Sequence, residues 1–207
     1  VSHRNHASII GVPKFLPSYA GILFEEEVMN LSSAFNPEHP FLFILGGAKF
    51  ETKMPLIEKF LKLADFVFVG GALANDFFKD KNYEIGLSVL SVKKFNLEKI
   101  LNSDKLLLPV DVVVKNNQGV FIKRPSQVLK EDKILDDGPE TILMLEKKLA
   151  SSKFVLWNGP LGDYEKGFRE GTVELARTIA RCRAKSIIGG GDTLAVVSKM
   201  NLENKFS

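Results

Sequence analysis

Cysteine is nearly absent from this 207-residue chain: Cys182 stands alone. One thiol closes no internal disulfide, so the fold rests on no covalent framework, and a cytoplasmic setting is expected. An excess of either charge is lacking too, since 28 Lys and Arg meet 25 Asp and Glu and leave a net charge of +3. That balance gives no general pull toward nucleic acid or an anionic membrane, so any anion must be held locally. Long apolar runs are also missing. The cleanest, FLFIL at Phe41–Leu45, has strand length and falls far short of the roughly 20 residues of a membrane span. His3, His6 and His39 share no metal-ligand spacing with cysteines or acids. What remains, 45% hydrophobic and 26% charged residues, is ordinary globular composition, with length for one generous domain or two small ones.

Bounded apolar runs rich in β-branched and aromatic residues predict strands at Phe41–Leu45, Phe66–Val69, Leu106–Val114, Val120–Ile122, Phe154–Trp157 and Ser186–Ile188. Between several of them lies helical spacing: Leu56, Ile57, Phe60, Leu61 and Ala64 follow the first run, and Val173, Leu175, Ala176, Ile179 and Ala180 precede the last. Strands that are apolar on both sides, alternating with amphipathic helices, imply a mostly parallel sheet covered on both faces. The expected class is α/β, a Rossmann-like three-layer sandwich. The turn signal NNQG between two strand runs adds a small antiparallel excursion. The first forty residues read differently, with the connector-like GVPKFLPSYAG, a helix in ILFEEEVMNLSSAF and proline punctuation in NPEHP.

Glycine clusters follow four of the strand runs: FLFIL-GGAK, FVFV-GGALAN, KFVLW-NGPLG and SII-GGGDT. In a parallel sheet all four turns lie at the carboxyl edge, where open α/β sheets bind ligands. Glycine lets backbone N–H groups approach a ligand, and a helix beginning just after such a turn offers unpaired N–H groups to anions. Each turn taken alone also fits a plain strand-to-helix connection. No G-x-x-x-x-G-K-[ST] is present, and no G-x-G-x-x-G follows the first strand, which argues against a P-loop protein and weakens a Rossmann-like NAD-dependent dehydrogenase. Lys49 and Lys53 are spaced i, i+4 beside a helix start and could grip a polyphosphate, or simply form a solvated face. Asp192 and Thr193 open a helix near Met200, as an N-cap or as a magnesium carboxylate beside a phosphate turn.

Taken together and in order, GGAKFETK, the strand–GGALAN turn, LPVDVVV, LDDGPET, WNGPLGDYE and GGGDT resemble the carboxyl-terminal half of the phosphoglycerate kinase family. The resemblance implies the nucleotide-binding half of a cytoplasmic glycolytic enzyme. The reaction is phosphoryl transfer between 1,3-bisphosphoglycerate and MgADP, giving 3-phosphoglycerate and MgATP. By motif match, Lys49 is similar to the lysine that accompanies the migrating phosphoryl group, and Lys53 to one that contacts nucleotide phosphates. Gly190, Gly191 and Thr193 resemble the family's phosphate turn, with Gly191 beside the transferring group, and Asp192 resembles its magnesium ligand. Glu165 falls where the family holds the ribose, while Asn158 and Pro160 belong to the NGP turn. Gly47, Gly71, Ala72 and Leu135 match nucleotide-site positions, the last three lining the adenine slot. Arg4 is similar to an arginine that binds phosphoglycerate.

Ala72 and Ile134 stand where many members have glycine, which implies a tighter or shifted adenine slot. The YEKGFREGT stretch is one residue shorter than the commoner form. The opening VSHRNHAS reads as mid-chain sequence, and the resemblance implies a remnant and connector over 1–18 and a nucleotide-binding domain over 19–207. The chain ends at NKFS, ahead of the family's terminal glycine-rich loop. On this reading it binds ADP or ATP with Mg²⁺ but does not turn over, 3-phosphoglycerate needs the other domain, and a monomer is expected. A stand-alone nucleotide-binding module without chemistry is the competing reading.

Overall fold

The computed structural model describes residues 5–32 and 36–206. The chain divides into two compact units, Val1–Asn36 and Pro37–Ser207. The first carries α1 (Ala7–Ile10), a 3-10 turn over Val12–Lys14 with Pro13 in its opening positions, and α2 (Ile22–Ser32). The helix expected in ILFEEEVMNLSSAF is therefore α2, and residues 33–35 of that stretch lie outside the described residues. Glu25 in the first turn of α2 complements its positive dipole end.

In the second unit the strands are β1 (Phe41–Leu45), β2 (Phe66–Val69), β3 (Leu106–Leu107), β4 (Val112–Asn116), β5 (Gly119–Lys123), β6 (Lys133–Asp137), β7 (Phe154–Asn158) and β8 (Lys185–Gly189). The helices are α3 (Phe50–Leu63), α4 (Ala74–Asp80), α5 (Glu98–Leu101), α6 (Pro139–Ser151), α7 (Glu170–Arg181) and α8 (Gly191–Lys199). Five strands form a sheet in the order β3-β2-β1-β7-β8, with every neighbour parallel. All five β1 residues are buried because the sheet is covered on both sides. Alternate side chains take opposite faces. Leu42 and Ile44 pack with Leu145 and Leu149 of α6, Leu175 and Ile179 of α7 and Val197 of α8. Phe41 and Phe43 instead meet Phe60 of α3, at ring-centroid distances of 5.8 and 4.1 Å. The result is the expected three-layer sandwich.

Register fixes where the strands end. Leu45 pairs with Val69 and with Asn158, and Asn158 with Gly189, so the four glycine turns emerge side by side at one carboxyl edge. Helix α6 begins there in an unusual way. No side chain at its own N-cap closes it. Asp111, about thirty residues earlier and just before β4, accepts the Glu140 N–H (3.0 Å), the Thr141 N–H (2.7 Å) and the Thr141 hydroxyl (2.7 Å).

The single strand expected over Leu106–Val114 is two. Leu106 and Leu107 end the parallel sheet, and Val112 starts a separate three-stranded antiparallel sheet in the order β5-β4-β6. Pro109 lies between them, where a missing N–H and a fixed φ interrupt a ladder. The NNQG turn does close the β4–β5 hairpin, with Asn116 opposite Gly119. β6 was not among the expected strands, because its sequence KILDD ends in two acids that nevertheless become buried. Another buried acid anchors this small sheet. The Asp132 carboxylate has no exposed side-chain surface and accepts from Lys123 Nζ (2.6 Å), Asn116 Nδ2 (2.7 Å) and the Leu129 N–H (2.8 Å).

Burial alone would push the Asp132 carboxyl up, but the Lys123 ammonium and the two other donors outweigh it and hold the group below the usual carboxylate range. A lowered folded value contributes stability above the unfolded value, lost as pH falls through the folded one. Asp132→Asn should therefore cost about 2–3 kcal/mol at pH 7 in urea unfolding, and less below pH ~4. A cost that does not change between pH 7 and 3 would show that the charge is not what holds the hairpin.

Candidate functional site

The glycine turns after β1, β2 and β7 are stitched to one another by backbone hydrogen bonds. The Gly46 N–H donates to Asn158 O (2.9 Å), the Gly47 N–H to Pro160 O (2.8 Å), the Leu73 N–H to Gly47 O (3.1 Å) and the Gly70 N–H to Leu45 O (2.9 Å). The approach at Gly46 leaves no room for a side chain, since a Cβ there would sit 2.2 Å from Pro160 O. Gly71 turns with φ +61°, in the left-handed region that glycine enters without strain. The Thr193 hydroxyl, buried in the first turn of α8, accepts the Gly159 N–H at 2.9 Å, and Trp157 Nε1 donates to Gly159 O at 2.9 Å. A rigid rim results, built from backbone.

Inside the rim lies a cavity of about 450 Å³, well within the size of small-molecule sites. One wall is Gly47, Gly71 and Ala72; a second runs from Pro160 to Glu165 and is tied to the first where the Gly47 N–H meets Pro160 O; buried Ile134, Leu135 and Asp136 close the base, and exposed Asp192, Ala195 and Lys199 of α8 form the mouth. Of the residues expected from sequence, Gly47, Gly71, Ala72, Leu135, Pro160, Glu165 and Asp192 line this space. Ile134, where glycine is commoner, also lines it, so the slot carries a side chain at that point.

The other expected residues that the structure describes lie outside the cavity lining. Lys49 is the exposed N-cap residue of α3. Lys53, one turn on, is half-buried, and its ammonium donates to Asn158 Oδ1 at the end of β7. Burial pulls the Lys53 pKa down, and the Asp192 carboxylate partly restores it. An ammonium that is half desolvated and paired with a neutral amide has electrostatic capacity left for an anion. Gly190, with φ +96°, is the N-cap of α8, so neither Asp192 nor Thr193 caps that helix. Asp192 is left exposed at the mouth, and Thr193 is spent on the neighbouring turn. Arg4 lies outside the described residues.

Val89, Tyr164 and Lys199 are among the cavity residues that the sequence reading did not single out. Val89 reaches the cavity from an irregular segment pinned to α4, where Asn75 Nδ2 donates to Val89 O at 3.0 Å. Tyr164 and Lys199 face one another across the mouth, with the ammonium 5.4 Å from the ring centre. Lys199 was legible in principle: Asp192, Ala195 and Lys199 recur at i, i+3, i+7 and share one face of α8.

A family model described as phosphoglycerate kinase matches residues 1–207. The phosphoglycerate kinase of Enterococcus faecalis is 41% identical over 217 residues, covering 100% of this chain and 55% of that protein; the one from Baumannia cicadellinicola is 40% identical over 212 residues, with the same coverage. Among solved structures, phosphoglycerate kinase from Coxiella burnetii superposes with a TM-score of 0.82 at 36% identity, covering 91% of this chain and 52% of that one. The Pyrococcus horikoshii enzyme gives 0.80 at 29% identity, covering 96% and 53%. The chain thus spans about half the length of the relatives it matches. Its glycine-edged parallel sheet and a family match running its whole length place this chain in the phosphoglycerate kinase family.

Proposed function

We propose that this chain is the nucleotide-binding half of a phosphoglycerate kinase. In the whole protein it would serve reversible phosphoryl transfer between 1,3-bisphosphoglycerate and MgADP, yielding 3-phosphoglycerate and MgATP. The observation that carries the reading is the convergence of Lys53, Asp192 and the Gly190–Gly191 helix start on the mouth of a cavity whose interior is largely apolar. A nucleotide has that polarity, with a flat base for the interior and phosphates for the mouth.

The base lies between the Gly71–Ala72 wall and the Pro160 wall, over Leu135, and Glu165 accepts from the ribose hydroxyls. The α8 start offers backbone N–H groups to phosphate oxygens. Lys53 leaves Asn158 to meet the inner phosphates, and exposed Lys49 follows the transferring group with Gly191 beside it. Among the described residues no cluster of three acids, histidines or cysteines could cage a metal. Asp192 alone suits Mg²⁺, which takes one or two carboxylates and completes its shell with phosphate oxygens and water. Bound Mg²⁺ would neutralise phosphate charge. No nucleophile on the protein is called for, because this class of transfer runs on positioning and charge stabilisation in a dry cleft. The domain expected over 19–207 contains the whole second unit. We place 3-phosphoglycerate binding, and therefore turnover, with the half of the protein beyond this chain, and assign the chain to the cytoplasm as a monomer.

Calorimetric titration of the chain with ADP should give saturable binding that Mg²⁺ strengthens, and titration with NAD should give none. Lys53→Ala should weaken ADP binding about 10- to 100-fold, the worth of a charge-assisted hydrogen bond, with the magnesium effect intact. Asp192→Ala should instead abolish the magnesium effect. Identical isotherms for the wild type and both variants would remove the site assignment. In a coupled assay with 3-phosphoglycerate and MgATP the chain alone should show no turnover, and a rate comparable with the family's full-length enzymes would overturn the division of labour.

A further inference from the structure

β6 ends on two consecutive acids, and consecutive strand residues point to opposite faces. The carboxyl of Asp137 turns toward the first cavity wall, where both its oxygens lie 3.3 Å from the Gly71 N–H. The contact is close: a Cβ on Gly70 would sit 2.2 Å from Asp137 Oδ2. Asp136 turns toward the second wall. Its Oδ2 accepts the Gly171 N–H at 3.1 Å, Oδ1 accepts the Asp137 N–H at 2.9 Å, and a Cβ on Gly162 would come within 2.6 Å of Oδ1. The β6 backbone holds the same wall, with the Asp163 N–H donating to Leu135 O at 2.8 Å. One strand end thus touches the β2 turn through Asp137, and Gly162 of the second wall and the start of α7 through Asp136.

Both side chains are buried, with Asp136 2% and Asp137 3% exposed. The charged groups acting on them are acidic: Asp136 and Asp111, the latter from the start of β4, act on Asp137, and Glu170 from the start of α7 acts on Asp136. Asp163 and Glu165 of the second wall, Lys133 of β6 itself, and Asp192 and Lys199 of α8 face the same cavity. Buried acids amid acids hold protons. Burial, more than the neighbouring charge, raises the Asp136 carboxyl to about 6 and carries Asp137 well above the ordinary range.

We propose that Asp136 and Asp137 are positioning residues for the cavity, a carboxyl bracket that sets the spacing of its two walls according to whether the pair carries its protons. Protonated, the pair lies between the walls without repulsion. Ionised, Asp136 places a buried anion against Asp137, Asp111 and Glu170, and the wall at Gly162–Glu165 moves to let it hydrate. A bound nucleotide, resting on the reading above, removes water from Asp136 and adds phosphate charge at the mouth. Both effects disfavour the anion, so occupancy and proton uptake reinforce each other, and ADP affinity falls as pH rises through the Asp136 titration.

The test follows backbone amides of the free chain by NMR from pH 5 to 8. The Gly71 and Gly171 amides, and with them Ala72 and Tyr164 on the two walls, should shift with one shared midpoint near pH 6, and Asp136→Asn should abolish that titration. ADP affinity is then measured for both proteins at each pH, their ratio cancelling the titration of ADP itself. Wild-type affinity relative to Asp136→Asn should fall about threefold or more from pH 5 to 8. Amides that do not titrate in the wild type, or titrate equally in Asp136→Asn, overturn the bracket without reference to any ligand. Walls that titrate beside a flat affinity ratio overturn its coupling to binding. Absence of ADP binding at every pH defeats the nucleotide reading instead, and the amide titration still decides the bracket. Should Asp136→Asn fail to fold, Asp137→Asn takes its place and should displace the shared midpoint.

Discussion

β1 is apolar at every position and buried on both faces, and the geometry at the edge of the sheet depends on that double burial. A strand with one wet face can slip by two residues at modest cost, but here each slip would eject aromatic rings from α3 on one side or aliphatic side chains from α6, α7 and α8 on the other. Register is thereby locked to the core, and with it the height at which β1, β2, β7 and β8 end. Four glycine turns arrive level with one another; those after β1, β2 and β7 knit together through their own amides and carbonyls, and the Thr193 hydroxyl ties in the fourth. The rim needs few side chains to hold it, which leaves those of Lys53, Glu165 and Asp192 available for chemistry.

Electrostatics divides the site in two. At the mouth, positive charge is left underused: Lys53 is partly stripped of water and leans on a neutral amide, with Asp192 near enough to ease but not quench it. At the base lie two buried carboxyls whose negative charge is disfavoured by burial and by acidic neighbours. On the proposed reading, an anionic group would be drawn to the first region and kept from the second, so the polarity of the cavity would orient a bound nucleotide.

Much of this was legible in the sequence. Two-sided apolar strands pointed to the parallel sheet, and glycine after four of the strands pointed to the turns gathered at its carboxyl edge, because both follow from local chemistry. Elements that depend on distant partners were less legible. KILDD reads as a polar turn until β4 is beside it, and the run from Leu106 to Val114 reads as one strand although Pro109 parts it between two sheets. Asp192 and Thr193 are both plausible caps by residue type, yet Thr193 is engaged by the β7 turn and Gly190 takes the cap. Val89 could not be placed at all, since long-range hydrogen bonds to Asn75, Asp76 and Ile134 hold its loop at the cavity.

The remote cap on α6 bears on how the chain reaches this state. A helix whose first N–H groups are satisfied from within its own sequence can form early and wait for its neighbours. α6 cannot, because the carboxylate that receives the Glu140 and Thr141 N–H groups arrives with the start of β4, some thirty residues away along the chain. Closing that loop costs entropy before either side gains, so the helix start and the strand start form together or not at all. The two sheets of this unit are thus coupled, and a partly folded form that keeps the parallel sheet without β4 leaves the first N–H groups of α6 without the Asp111 acceptor.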